Sequence, residues 1–179
     1  MPRENGPDSP RSRPDRVSLA AVVLLLAAAA ATHGAVFGGT PGYVAVAGGT
    51  AVGTAVAVAG ARWHWNPFET VLAGVVTYLL AGGALALPST TTAHVVPTLA
   101  TLQGLVIGAV QAWKDLLTLT PPAGSFVGPT VVPHLSGLAC ALAAVTIALR
   151  TRRRQGWALV PVSVLALIGV LWGSQLAPM

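Results

Sequence analysis

The chain has 179 residues, of which 54% are hydrophobic and only 8% are charged, and its mean hydropathy is +0.71. A soluble domain carries about 25% charged residues, so this composition excludes a chain that covers its whole surface with water-facing side chains. The net charge of +5 does not indicate nucleic-acid binding, because the basic residues flank apolar segments and do not form one face interleaved with aromatics. The composition predicts an all-α, polytopic membrane protein whose main partner is the lipid bilayer.

The N-terminal region is predicted to be a tail followed by a membrane anchor. Residues 1–16 are rich in Pro, Arg and Ser, which predicts a disordered cytoplasmic tail. The apolar run at 18–37 is the first predicted span and matches a hydrocarbon core of roughly 30 Å. A basic stretch before an apolar run is also typical of a signal peptide. We favour an uncleaved anchor, because the run is long and further spans follow.

The second predicted span, 42–61, is rich in glycine and follows a predicted Gly-Gly-Thr-Pro turn at 38–41. Small residues recur at every fourth position of this span: Ala45, Gly49, Gly53 and Ala57, with Ala61 continuing the series. This spacing places them on one helix face, where small side chains let a second helix approach closely. Packing against another helix of the same chain is the favoured interpretation, and homodimerisation is the alternative.

The third predicted span, 67–87, has a recognisable start. Asn66 is in the position of an N-cap, Pro67 is the first helical residue, and Glu69 follows the cap by three residues. This pattern is typical of a helix whose first free N–H groups are bonded by side chains. We therefore interpret Glu69 as a capping residue in preference to a proton carrier.

A weakly amphipathic segment follows at 99–119, before the Pro121-Pro122 pair. Its polar or small residues repeat at steps of three and four, and larger apolar residues lie between them. The polar or small set is Thr101, Gly104, Gly108, Gln111, Asp115 and Thr118, and the apolar set is Leu102, Val106, Val110, Trp113 and Leu117. The pattern predicts a helix that lies in the outer membrane interface or dips partly into it.

The fourth and fifth predicted spans are 131–149 and 157–172, which completes a membrane domain over 17–175 with a short tail at 176–179. A basic cluster separates these two spans: Arg150, Arg152, Arg153 and Arg154. Arginines also precede the first span, and Arg62 follows the second.

These arginines determine the predicted topology, because basic loops stay on the cytoplasmic side. The N-terminal tail and the cluster at 150–154 are both basic, so an even number of crossings must separate them. Five spans then give a plasma-membrane protein with a cytoplasmic N-terminus and an extracytoplasmic C-terminus, and Arg62 also lies inside. In the alternative, 42–61 does not cross and 99–119 does, which leaves Arg62 outside.

The sequence contains no recognisable catalytic or metal-binding pattern, so we predict no enzyme activity and no cofactor. No charged residue lies at mid-span, where ion-coupled carriers keep their functional groups. The histidines are scattered, and we interpret His33 and His134, near the outer ends of spans one and four, as structural in preference to a proton relay. Cys140 lies mid-span and is interpreted as a packing residue.

One stretch is more specific than these general patterns. It begins at Gln111 and reads QAWKDLLTLTPPAGSFVGPTVVPHLSGLACALAAVTIALRTRRR. The stretch resembles the N-terminal membrane region of bacterial transglutaminase-like membrane proteins, and the residue bias looks like that of an actinobacterial genome. The matching positions are Trp113, Lys114, Asp115, Leu116, Leu117, Pro121, Pro122, Pro133, Leu149, Arg150, Thr151 and Arg152. Similarity is strong over 111–175 and only architectural over 17–110.

The resemblance implies a non-catalytic module that anchors or positions an extracytoplasmic transglutaminase-like domain or associates with cell-envelope proteins. The Cys-His-Asp triad of that family has no counterpart here, so we expect the chain to be a fragment of a longer protein, a truncated gene product or a stand-alone paralogue. Trp113, Lys114 and Asp115 are the candidate outer docking face, although plain anchoring of these residues at the membrane surface is the favoured interpretation. The alternative function is a small permease, for which Gly48–Thr54 and Thr77 are the only polar candidates.

Overall fold

The computed structural model describes residues 16–33, 40–87, 91, 96–116, 130–151 and 156–173. Within these ranges the chain is helical and contains no β-strand, which confirms the predicted all-α class. The helices are α1 (Arg16–Ala31), α2 (Thr40–Arg62), α3 (Pro67–Ala86), α4 (Leu99–Leu116), α5 (Val131–Arg150) and α6 (Leu159–Gly173). By length and composition, α2, α3 and α5 can each cross a membrane, whereas α1, α4 and α6 provide shorter apolar stretches.

The boundary between the first two helices differs from the prediction. α1 ends at Ala31 and is followed by a turn at 32–33, so it stops before the predicted limit at residue 37; residues 34–39 lie outside the described ranges. α2 begins at Thr40, so the predicted turn at 38–41 is wrong for its last two residues. Pro41 is tolerated there because the first turn of a helix needs no N–H from it.

The start of α3 confirms the predicted capping box. The Asn66 side chain accepts a hydrogen bond from the Glu69 N–H at 2.8 Å, and the Glu69 carboxylate accepts one from the Asn66 N–H at 2.8 Å. Two backbone N–H groups that the start of a helix leaves without a helical partner are thus bonded by nearby side chains. Pro67 in the first turn has no N–H that needs a partner. This fixes where α3 begins and confirms Glu69 as a capping residue.

α5 is the central helix and contacts all five of the others. One buried cluster joins it to α1, α2 and α6 through Leu26, Val46, Ala141, Val145 and Leu165. A second cluster joins α5 to α3 and α4 and contains Tyr78, Ala86, Leu87, Leu105, Val131 and Leu138. The described core is therefore built around one helix.

α2 and α5 run in the same direction. Gly49 of α2 lies against His134 of α5, and Gly53 lies against Leu138, so residue numbers rise together along the contact. Between them this pair makes the most extensive contact of the described fold. A parallel pair requires the chain to return to its starting end between the two helices.

α3 provides that return, because it runs antiparallel to both partners. Along α5, Gly74 lies against Leu142 and Ala86 lies against Thr130, so the numbers rise on one helix as they fall on the other. Along α2 the same order appears, with Gly48 near Leu85 and Gly60 near Thr70. The end of α3 and the start of α5 therefore lie together, and the chain between them begins and finishes at one end of the bundle.

α4 packs against that same end. Leu105 lies beside Gly82 near the end of α3, and Gly108 lies beside Val131 at the start of α5. Thr101 and Gly108 of its polar or small set are buried, but Gln111 of that set is exposed. Val106 and Val110 of the apolar set are exposed, whereas Leu105, which belongs to neither set, is fully buried in the core. Several larger apolar side chains of α4 therefore point outward, while Leu105 packs inward.

Candidate functional site

The predicted small-residue face of α2 lies against α5 of the same chain. A Cβ atom at Gly49 would collide with the backbone carbonyl of His134, and one at Gly53 would collide with that of Leu138. The two backbones are in direct contact at these positions, which only glycine permits. Close approach of this kind is how helices associate where lipid provides no hydrophobic drive.

The other two residues of this face are equally enclosed. Ala45 and Ala57 are 0% and 1% exposed. α5 contributes a glycine in return, because a Cβ at Gly137 would come within 2.7 Å of the Val46 carbonyl oxygen. The face is thus covered by α5 of the same chain, as the favoured interpretation predicts.

His134 is a buried polar residue at this contact. Its Nδ1 lies 3.2 Å from the Ala45 carbonyl oxygen, which can only accept, so Nδ1 is the donor in this hydrogen bond. Its ring stacks on that of Tyr78 with the centroids 5.7 Å apart. Nε2 is buried and has no hydrogen-bond partner among the described residues. The imidazole therefore acts as a fixed donor between α2 and α5.

Two hydroxyl groups form hydrogen bonds between helices at the end of the bundle that α4 covers. We call this end the α4 end, and it includes Tyr78, Ala86, Leu105 and Thr130. The Tyr78 hydroxyl donates to the Leu105 carbonyl oxygen at 2.9 Å, and the Thr130 hydroxyl donates to the Ala86 carbonyl oxygen at 2.6 Å. Both bonds are buried, where an unbonded hydroxyl would be costly. They join α3 to α4 and to α5.

The opposite end carries the arginines, and we call it the basic end (Arg62, Trp63, Trp65, Thr70, Arg150). An Arg150 Nη atom donates to the Thr70 hydroxyl at 3.0 Å, and that hydroxyl donates to the Asn66 carbonyl oxygen at 3.0 Å. The last helical turn of α5 is thereby tied to the start of α3. Arg152, Arg153 and Arg154 lie outside the described ranges.

A left-handed turn at the end of α2 places the following loop at the basic end. His64 has a φ of 57°, and the Trp65 N–H bonds to the Gly60 carbonyl oxygen at 2.9 Å, so α2 ends in a left-handed turn of the Schellman type. The Trp63 and Trp65 rings lie 5.5 Å apart. Arg62 and the tryptophans thus lie at the same end of the bundle as Arg150.

Other predicted site residues lie elsewhere. Trp113, Lys114 and Asp115 belong to the last turns of α4, and their side chains are outside the described part of the chain. Cys140 is buried in the core cluster with α1, α2 and α6. His33 is fully buried after α1, beside Gly169 of α6.

The residues considered for a polar transport path make hydrogen bonds within their own helices. The Thr50 hydroxyl donates to the Val46 carbonyl oxygen at 2.8 Å, and the Thr77 hydroxyl donates to the Ala73 carbonyl oxygen at 2.7 Å. No group of three or more His, Cys, Asp or Glu that could hold a metal ion occurs among the described residues. No observation at these positions favours the permease alternative.

Sequence reasoning missed Tyr78, Thr70 and Thr130, although one signal was present. Tyr78 lies four residues from both Gly74 and Gly82, which places all three on one helix face. The two threonines carry no such signal, because their partners are on distant helices.

Comparison of the chain with protein-family models, with curated proteins and with solved structures finds no match.

Proposed function

We propose that the chain is an integral membrane module of five spans, formed by α1, α2, α3, α5 and α6, with α4 at the outer interface. The observation that supports this most directly is the parallel packing of α2 and α5 with α3 antiparallel between them. If the bundle lies in a bilayer, the segment at 88–129 must then leave and re-enter on one side. The N-terminus is cytoplasmic and the C-terminus extracytoplasmic.

Surface composition supports the bilayer as the solvent. Large apolar side chains point away from the protein along most of the length of α3. Examples are Phe68, which is 73% exposed, and Val71 and Leu80, which are each 58% exposed. Three helices are long and apolar enough to cross a membrane. In water such faces would be an aggregation hazard, whereas in lipid they cost nothing.

The shared position of Arg62 and Arg150 supports the orientation. Their clustering at the basic end is what the preference of arginine for the cytoplasmic side predicts. The alternative topology, in which 42–61 does not cross and 99–119 does, would make α3 and α5 parallel. The observed antiparallel contact between them favours the five-span arrangement.

The role we propose is a non-catalytic anchor that positions an extracytoplasmic transglutaminase-like domain. It rests on the resemblance over 111–175 and is supported by the contacts of α4 with α3 and α5. Hydrogen bonding and packing hold α4 against α3 and α5, and the segment Trp113–Asp115 continues the same helix to its end at Leu116. A helix fixed in this way is a platform at the outer surface.

Cysteine labelling in intact cells tests the topology. In a Cys140→Ser background, single variants Ser125→Cys, His64→Cys and Gln155→Cys are treated with a membrane-impermeant maleimide. We expect labelling at 125 in intact cells, and labelling at 64 and 155 only after permeabilisation. Labelling of 64 or 155 from the outside would reject the proposed orientation.

Photo-crosslinking tests the anchoring role. A photoreactive phenylalanine analogue replaces Trp113, or Val110 as the control, in cells that naturally make the chain. The expected adduct at 113 contains a transglutaminase-like domain identified by mass spectrometry, whereas 110, which is exposed on the apolar face of α4, gives lipid adducts. Lipid adducts alone at both positions would contradict the docking role and leave the topology unaffected.

A further inference from the structure

A long groove runs between α1 and α2 on the outside of the bundle. Its volume is about 820 Å³, and its walls extend from Val23 to Ala31 on α1 and from Tyr43 to Trp63 on α2. At 1.5 Å per residue the α2 wall is about 30 Å long, which matches the hydrocarbon thickness of a bilayer. The α2 wall is therefore as long as a hydrocarbon core is thick, and α1 lines about 12 Å of that length.

Small side chains keep this groove open. Ala47, Ala51 and Ala55 recur at every fourth position of α2 and are exposed, as is Ala27 of α1. They form a face distinct from the Ala45–Ala57 face that α5 covers. The hydroxyl of Thr50, which also lines the groove, already donates to its own helix and demands no polar partner. The walls thus suit a flexible apolar occupant.

A positive charge at one end of the groove favours an anionic occupant. Arg62 is the single charged residue among the described residues that line the groove, and none of those residues carries a carboxylate. Trp63 lies next to it and is 65% exposed, as is typical of an aromatic side chain at the lipid headgroup level. A second groove between α3 and α5, of about 450 Å³, has no charged residue among its described lining. Of these two grooves, as lined by the described residues, the first combines an apolar length with a cationic end and the second does not.

A second copy of the chain fits this groove poorly. Two copies in one membrane have the same orientation, so symmetric pairing through the groove would bring one Arg62 close to the Arg62 of the other copy. Like charges in such a position repel, and no carboxylate among the described lining residues offsets them. An anionic headgroup has the opposite sign and meets no such cost.

We propose that the groove between α1 and α2 binds one acyl chain of an anionic phospholipid, whose phosphate pairs with Arg62. The inference rests on the proposed function, because it requires the basic end to lie at the cytoplasmic leaflet, whose surface is negative. Arginine suits the phosphate, since its planar guanidinium presents paired donors. The acyl chain would occupy the part of the groove next to Arg62, because one leaflet makes up about half of the hydrocarbon thickness.

Crosslinking in nanodiscs tests the proposal. The full chain is reconstituted in zwitterionic phosphatidylcholine with increasing amounts of phosphatidylglycerol that carries a diazirine on its acyl chain. We expect saturable labelling at one lipid per chain, in peptides from 16–31 and 40–63. Ala51→Phe, which fills the groove, should lower labelling by fivefold or more, and Arg62→Gln should lower the preference for phosphatidylglycerol by about fivefold.

Ala28→Phe is the matched control, because Ala28 is exposed on α1 but does not line the groove. It should label like the parent chain. Equal labelling of the Ala51 and Ala28 variants, or labelling that rises without saturation, would overturn the proposal. Disulfide dimers of Ala51→Cys in the Cys140→Ser background would also overturn it, in favour of a second copy. A chain that fails to enter nanodiscs would instead count against the membrane module itself.

Discussion

Two adjacent glycines of α2 have different roles, and the difference depends on which atoms they face. Gly49 and Gly53 face the backbone of α5, which cannot move without shifting the helix. At Gly48, an added Cβ would come within 2.8 Å of both terminal methyl groups of Leu85 and 3.2 Å of its Cγ, which belong to a side chain that can shift. The same residue type is therefore required at two positions and only tolerated at the third.

We expect Gly53→Ala to lower the free energy of unfolding in detergent micelles by about 1–3 kcal/mol, the usual cost of overpacking a tight contact. Gly48→Ala is the matched control on the same helix. It should be neutral or stabilising by up to about 1 kcal/mol, because alanine is a better helix former than glycine. Denaturant titration followed by circular dichroism measures both variants. Equal effects would contradict the close backbone contact of α2 with α5.

α4 is held against α3 by packing and by one directional hydrogen bond. Its inner face combines the small or polar residues Thr101 and Gly108 with one large apolar residue, Leu105. The Tyr78 hydroxyl supplies a directional contact by donating to the Leu105 carbonyl oxygen. The position of α4 against α3 therefore depends on a specific bond as well as on packing.

Tyr78→Phe removes that bond and keeps the ring. We expect hydrogen exchange of α4 amides to accelerate several-fold, since a net loss of about 1 kcal/mol is typical for one hydrogen bond. Exchange in α2 and α5 should not change. Tyr43→Phe is the control, because Tyr43 is 46% exposed on the opposite side of α2 from this contact. Unaltered exchange in α4 would show that packing alone holds the helix.

The direction of each helix follows from the order of contacts along the chain. α3 ends beside the start of α5, where the Thr130 hydroxyl donates to the Ala86 carbonyl oxygen at 2.6 Å. The 42 residues at 88–129 therefore connect two points that are already in contact. In the five-span proposal, α4 adds an element to the outer surface without reversing the helices that follow.

This geometry predicts the result of deleting α4. Replacing 88–129 by six Gly and Ser residues spans the short gap between α3 and α5. We expect a cysteine at Gln155 in this variant to react with an impermeant maleimide only after permeabilisation, as in the full chain. The full chain with the same cysteine is the control. If α4 were a span, its deletion would invert α5 and expose residue 155 to the outside.

The membrane class, the positions of the long apolar helices and the capping box of α3 could all be predicted from the sequence. They depend on composition, run length and contacts within one helical turn, which neighbouring residues determine. The small-residue face of α2 could also be predicted, because residues that recur at helical spacing lie on one side of a helix.

Periodicity does not identify the helix that the face contacts. Gly49 meets His134 across 85 positions of sequence, and Arg150 meets Thr70 across 80. The parallel direction of α2 and α5, the position of α4 and the groove beside Arg62 likewise result from how several helices fill space together. Such contacts arise only in the tertiary structure, because close packing couples residues that no local pattern links.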